Sequence, residues 1–76
     1  MTIKYNLDFE QNISIDIYNI LGQRVHELIN KTMPAGYHSI NWNGKNDSGV
    51  LLSSCIYFIR ISTDTQSYVR KVSLIK

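Results

Sequence analysis

Apolar side chains recur at every second position along most of this chain. In residues 13–17 three isoleucines alternate with a serine and an aspartate, and in residues 38–42 His, Ile and Trp alternate with Ser and Asn. A period of two places successive side chains on opposite faces of a strand, so one face is buried and the other is wet. The pattern predicts an all-β fold and argues against strand–helix alternation.

Six segments carry this alternation or a close variant of it. They lie at residues 3–7, 13–17, 23–31, 38–42, 57–61 and 68–75, and residues 50–52 are a candidate short seventh strand. The third segment is ambiguous because Val25, Leu28 and Ile29 also have helical spacing. We interpret it as a strand with a bulge near Glu27 and Leu28. Short strands separated by Asn-, Gly- and Pro-containing turns are typical of a sandwich or barrel.

The length of 76 residues allows one domain, residues 1–76, with a small core. No stretch approaches the roughly 18 apolar residues of a membrane span. The net charge of +2 is carried by basic residues spread along the chain rather than in a stripe, so a nucleic-acid partner is not expected. A single cysteine excludes an intrachain disulfide.

The alternation also predicts which side chains form the core. We expect Trp42 to be buried because it shares its phase with Ile40, although an exposed Trp42 beside Tyr37 would be able to stack on a sugar. The segment 57–61 begins with apolar residues on both faces, and we therefore expect it to be a central strand. The predicted core consists of Ile15, Ile17, Ile40, Trp42, Ile59, Val72 and Leu74.

Cys55, His26 and His38 are the residues with the most obvious potential for chemistry. Cys55 with either histidine would supply a nucleophile and a base, or part of a zinc site. The chain lacks the closely spaced ligand pairs typical of zinc sites, and a lone Cys on a strand is commonly a small buried hydrophobe. The six carboxylates are scattered. We therefore predict that the chain is not an enzyme and holds no cofactor.

The segment 43–49 places oxygen-bearing side chains at alternate positions, as calcium-binding loops do. Lys45 occupies one of these positions, and Asp47 is the only carboxylate in the segment. We favour a turn whose own side chains satisfy its backbone.

The final segment reads as an edge strand. Val72 and Leu74 are expected to point into the core, Lys71 and Ser73 outward, and Lys76 lies at the end of the chain. Lysines on an edge strand discourage aggregation, which explains the alternation without a function. A receptor that binds an exposed strand edge by strand addition would give the final strand a function. Free strand edges also allow strand-mediated self-association.

Four motifs resemble one known family. Residues 17–25 resemble I-Y-D-x-L-G-R-x-V, residues 35–44 resemble A-G-x-H-x-x-x-W-D-G, residues 47–61 resemble S-G followed by S-G-V-Y-F-x-R-L, and residues 70–76 resemble x-K-M-x-L-x-K. These motifs are similar to those of the type IX secretion C-terminal sorting domain of Bacteroidetes. The immunoglobulin-like domain of the flagellar hook-capping protein shares this core. The resemblance implies an immunoglobulin-like β-sandwich of about seven antiparallel strands.

The resemblance also implies a function. Such a domain, at the C-terminus of a larger secreted protein, directs an N-terminal cargo through the type IX outer-membrane translocon to the cell surface, and a sortase then removes it. The translocon would recognise Lys71, Val72, Leu74 and Lys76. Two features depart from the family pattern: the Y-P-N-P lead-in is missing, and Cys55 stands where Gly is usual.

Two alternatives remain open. One is a structural immunoglobulin-like module of the flagellar hook-cap type, and the other is a carbohydrate-binding or adhesive accessory domain.

Overall fold

The computed structural model describes residues 1–75 and contains six β-strands in this part of the chain. Their alternating side chains give each strand one apolar face, and burying those faces against one another forms two layers. The strands are β1 (Thr2–Leu7), β2 (Gln11–Tyr18), β3 (Arg24–Met33), β4 (Gly36–Asn41), β5 (Cys55–Thr63) and β6 (Ser67–Leu74).

The strands form a two-stranded sheet of β1 and β4 and a four-stranded sheet in the order β3-β2-β5-β6. Every pairing is antiparallel. Strand β5 lies between β2 and β6, which confirms the central position predicted from its two apolar faces. The predicted all-β sandwich of antiparallel strands is therefore confirmed, with six strands rather than seven among the described residues.

The candidate seventh strand at residues 50–52 was wrong. Lys45 and Leu51 form only an isolated bridge, and the side chains of Val50 and Leu51 are exposed. Leu52 alone turns inward to pack against the core. The segment is held as a loop because Asn46 accepts hydrogen bonds from the backbone and Leu52 N–H donates to the Gly44 carbonyl.

Strand β3 carries the predicted bulge. Ile15 pairs with Ile29 and the next residue, Asp16, pairs with Glu27, so Leu28 is the extra residue. A second irregularity, which the sequence did not predict, leaves Val25 without a partner. The two extra residues explain the helical spacing of Val25 and Leu28, because each bulge reverses the inward–outward alternation.

The core lies between the two sheets. Four of the predicted core residues, Ile15, Ile17, Trp42 and Ile59, are fully buried. The other three, Ile40, Val72 and Leu74, pack against this core but are only half-buried. They lie on β4 and β6, which have a neighbouring strand on one side only. The buried apolar set is completed by Ile3, Leu7, Ile13 and Tyr57.

The Trp42 side chain is 1% exposed. Trp42 lies directly after β4, at the start of the following loop. Its indole Nε1 donates to the Lys45 carbonyl at 3.0 Å, and its ring meets the Tyr57 ring edge-on at 5.8 Å between centroids. This confirms Trp42 as a core residue and removes it as a platform for a sugar.

Candidate functional site

Strand β6 is an edge strand, as predicted. It pairs with β5 from Cys55–Leu74 to Ser62–Ser67, and its other side has no strand among the described residues. Unpaired backbone N–H and C=O groups along such an edge are the usual template for adding a strand from a partner. This edge and the faces beside it form the candidate site.

The structure brings three of the four predicted site residues onto this strand. Val72 and Leu74 face inward and are half-buried, whereas Lys71 faces outward and is exposed. Leu74 packs over the bare Cα of Gly44, where an added Cβ would lie 3.4 Å from Leu74 Cδ1. Gly44 has a φ of +78°, a conformation that suits glycine. Lys76 lies outside the described residues.

The outer face of the four-stranded sheet presents aromatic and basic side chains that sequence reasoning missed. In one row Tyr18 lies opposite Phe58 and Phe58 opposite Lys71; in the adjacent row Asp16, Arg60 and Val69 lie in register. Val69 is 65% exposed, and a shallow depression of about 250 Å³ lies beside it. The sequence did contain a sign of this face, because the β5 segment has apolar residues on both of its faces.

The opposite edge of the same sheet is partly covered. The loop 43–49 lies against β3, where Asp47 N–H donates to the Val25 carbonyl at 3.0 Å. In return, Glu27 N–H donates to Asp47 Oδ1 at 3.0 Å, and the His26 ring lies 3.0 Å from the same oxygen. The backbone hydrogen bond from Glu27, with a contribution from His26, lowers the pKa of Asp47 below its ordinary value. This coverage leaves β6 as the more accessible edge.

The loop 43–49 behaves as the predicted self-satisfied turn. Asn43 Oδ1 accepts a hydrogen bond from Lys45 N–H, and Asn46 Oδ1 accepts from both Ser48 N–H and Val50 N–H. These oxygens therefore close the backbone turn. Within residues 1–75, no cluster of three or more His, Cys, Asp and Glu side chains is placed to hold a metal ion.

The proposed nucleophile, base and zinc residues lie on different elements. His26 on β3 contacts Asp47, whereas His38 on β4 stacks on Tyr5 with 5.3 Å between ring centroids and bonds the Pro34 carbonyl. Burial raises the pKa of the Tyr5 hydroxyl. Cys55 begins β5. The arrangement gives no nucleophile–base pair involving Cys55.

The expectation that Cys55 is a buried thiol was wrong. Its side chain is exposed, and Cys55 pairs with Leu74 at the end of the β5–β6 ladder. All positive φ angles within residues 1–75 belong to glycines. Cys55 therefore occupies the family's glycine position without left-handed backbone.

Together, the two-layer antiparallel sheets and the open β6 edge define an immunoglobulin-like β-sandwich module. The family model described as FlgD Ig-like domain matches residues 1–67, and the chain belongs to this family. Its members are structural modules rather than enzymes.

Among solved structures, the chain is similar to FlgD from P. aeruginosa, with 27% sequence identity and a TM-score of 0.72. The match covers 96% of this chain and 59% of that one, so the chain spans little more than half of the FlgD structure. No curated protein gave a significant match. Within the described residues there is no helix long and apolar enough to cross a membrane.

Proposed function

We propose that this chain is a non-catalytic structural module of the flagellar hook-cap type, acting as one domain of a larger assembly protein. The observation that carries the proposal is the FlgD Ig-like family match over residues 1–67 of a two-sheet sandwich. Within the described residues, the buried side chains are apolar apart from Gln11. The interior therefore stabilises the fold, and a partner would bind at the edges and outer faces of the sheets.

A domain exchange tests this proposal. The part of P. aeruginosa FlgD that matches this chain is replaced by residues 1–76, and hooks are counted by electron microscopy. We expect more hooks than in a strain whose FlgD lacks the domain. A second chimera carries Trp42→Asp, which places a charge in the core and should abolish folding and hook formation together. A folded, exported chimera that forms no more hooks than the deletion strain would contradict the proposal.

A second candidate is the type IX sorting function, with the outer-membrane translocon and sortase as partners and the cell surface as destination. The observation that favours it is the open β6 edge. There Lys71 is exposed while Val72 and Leu74 hold the strand against the core. A docked strand of this kind can be rigid and remain available to a receptor.

Reporter export distinguishes this candidate from the first. A signal peptide and a reporter are fused before residues 1–76 in a bacterium with type IX secretion. If the domain is a sorting signal, the reporter should reach the cell surface, and Lys71→Glu should abolish this surface localisation. Lys31→Glu is the matched control, since Lys31 is an exposed strand lysine on β3. A reporter retained in the periplasm, while a known sorting domain is exported, excludes this second candidate.

A further inference from the structure

A cleft opens between strand β1 and strand β6, where the smaller sheet fails to cover the larger one. Its floor is formed by Ile59 and Ile61 of β5, and its far wall by Tyr68 and Arg70 of β6. Residues 4–8 line the near wall, and the cavity measures about 470 Å³. Tyr68 remains 57% exposed although it shares the inward phase of Arg70, Val72 and Leu74. The inner face of the larger sheet is therefore uncovered at this position.

The near wall offers unpaired backbone. Strand β1 pairs only with β4 among the described strands. In an antiparallel pair, alternate residues direct their N–H and C=O groups away from the partner strand. The side of β1 that faces the cleft therefore carries donors and acceptors ready to form a further ladder.

The shape of the cleft selects a single strand over a second copy of the domain. Strand β6 and the turn at residues 64–66 stand opposite β1 across the cleft. Two copies paired antiparallel through β1, about a two-fold axis perpendicular to the smaller sheet, would place both four-stranded sheets on the same side of the joined smaller sheets. The overhanging β6 strands would then collide. A lone extended segment needs only the width of one strand, about 4.8 Å.

Charge on β1 indicates what kind of segment fits. Lys4 and Asn6 share one phase of β1, Asp8 follows in the bend directly after the strand, and all three are exposed. Within residues 1–75, no ion pair involves Lys4, Asp8 or Arg70. Opposite charges facing each other across two strands are favourable. An acidic residue opposite Lys4 and a basic residue opposite Asp8 would complete these pairs.

Gln11 supplies an independent observation in the same cleft. It is the one buried polar residue within residues 1–75, at 7% exposure, and it lines the cavity. Its Nε2 donates to the Phe9 carbonyl at 3.3 Å, while its Oε1 has no hydrogen-bond partner. A buried acceptor without a donor is unfavourable, and rotation of the Gln11 side chain toward a donor on an occupant of the cleft would relieve it.

We propose that this cleft is a strand-addition site for an extended segment of a partner protein, lying antiparallel to β1. The segment alternates apolar residues, directed at Ile61 and Tyr68, with polar residues that are basic opposite Asp8 and acidic opposite Lys4. The antiparallel direction is chosen because such pairs are the more stable per residue. The site goes beyond the proposed function, since it uses neither the β6 edge nor any particular parent protein.

A designed peptide tests the proposal directly. The probe is acetyl-Ser-Lys-Val-Thr-Val-Glu-Ser-amide, in which Lys falls opposite Asp8, the two Val opposite Leu7 and Tyr5, and Glu opposite Lys4. We expect saturable binding below about 1 mM peptide, with amide chemical-shift changes in residues 4–8 and at Ile61 and Tyr68. N-methylation of alternate peptide amides, on the ladder-forming side, should weaken binding at least tenfold.

Charge exchange supplies the matched control. Lys4→Glu should weaken binding about fivefold, and a peptide with Lys in place of its Glu should restore it, whereas Lys31→Glu should have no effect. Three results would overturn the proposal: no binding, equal binding of the N-methylated peptide, or shift changes confined to the outer side of β6. Equal binding of the peptide with Lys and Glu exchanged would overturn the assigned direction and charge pattern. Peptide binding is measured on the isolated domain, so its outcome is separate from hook assembly.

Discussion

The carboxylate of Asp47 accepts a hydrogen bond from the backbone N–H of Glu27 at 3.0 Å, joining the long loop to the edge of β3. Asp47 N–H donates to the Val25 carbonyl in return. Val25 is an extra residue at a bulge, so its carbonyl is not required by the β2–β3 ladder at that point. The bulge thus creates the place where the loop attaches.

The first prediction concerns the pH dependence of this attachment. The pKa of Asp47 is lowered from its ordinary value of 3.8, mainly by the Glu27 hydrogen bond. Its stabilising contribution is therefore present above pH 3.8 and is lost as the pH falls through the lowered pKa of the folded state. Asp47→Asn keeps an acceptor oxygen but removes the charge, so we expect reduced stability at neutral pH and a smaller loss in acid.

Urea unfolding of both proteins between pH 2 and pH 7 measures this effect. The difference in midpoint between wild type and variant should shrink as the pH falls below 3.8. Asp64→Asn serves as a control, since Asp64 is also exposed and accepts from Asn12 N–H at the longer distance of 3.3 Å. If the difference in midpoint between wild type and Asp47→Asn stayed constant across this pH range, the stabilising role assigned to the Asp47 charge would be contradicted.

The second prediction concerns Trp42. Trp42→Phe removes the hydrogen bond to the Lys45 carbonyl and leaves space in a fully buried position. We expect the free energy of unfolding to fall by about 2–3 kcal/mol. Tyr37→Phe is the control because Tyr37 is 90% exposed, and it should change stability by less than about 0.5 kcal/mol. Equal effects of the two substitutions in chemical denaturation would contradict the core assignment.

The third prediction tests how the last strand is held. Leu74→Ala should reduce stability by about 1–2 kcal/mol, less than at a fully buried leucine, because Leu74 is half-buried against the core. Ile75→Ala should have an effect of less than about 0.5 kcal/mol, since Ile75 is 84% exposed. Hydrogen exchange on the Leu74→Ala variant should show faster exchange in β6 than in β2. Uniform acceleration in all strands would mean that β6 does not open separately.

The fourth prediction concerns Cys55. Because its thiol is exposed, a small thiol-specific reagent should modify the folded protein completely, and adding urea should change the rate only a few-fold. Cys55→Ser should abolish the reaction and leave stability within about 0.5 kcal/mol of wild type. A reaction that proceeds only after unfolding would show that the thiol is buried.

The sequence by itself determined the strands, the bulge near Leu28, the central position of β5 and the burial of Trp42. It also predicted that the last strand would carry Val72 and Leu74 inward and Lys71 outward. These features follow from periodicity and local turn chemistry, which neighbouring residues encode directly. Three of the four predicted site residues could therefore be placed on one strand before its neighbours were known.

Only the tertiary structure decided which strands lie side by side. That order exposes Cys55 at the end of a ladder, joins the loop to β3 through Asp47, and leaves β1 with a free edge over an uncovered part of β5 and β6. Pairing depends on contacts between segments far apart in the chain, and the same alternating pattern is compatible with several strand orders. The cleft beside β1 is therefore a property of the folded sandwich that no single segment of the sequence contains.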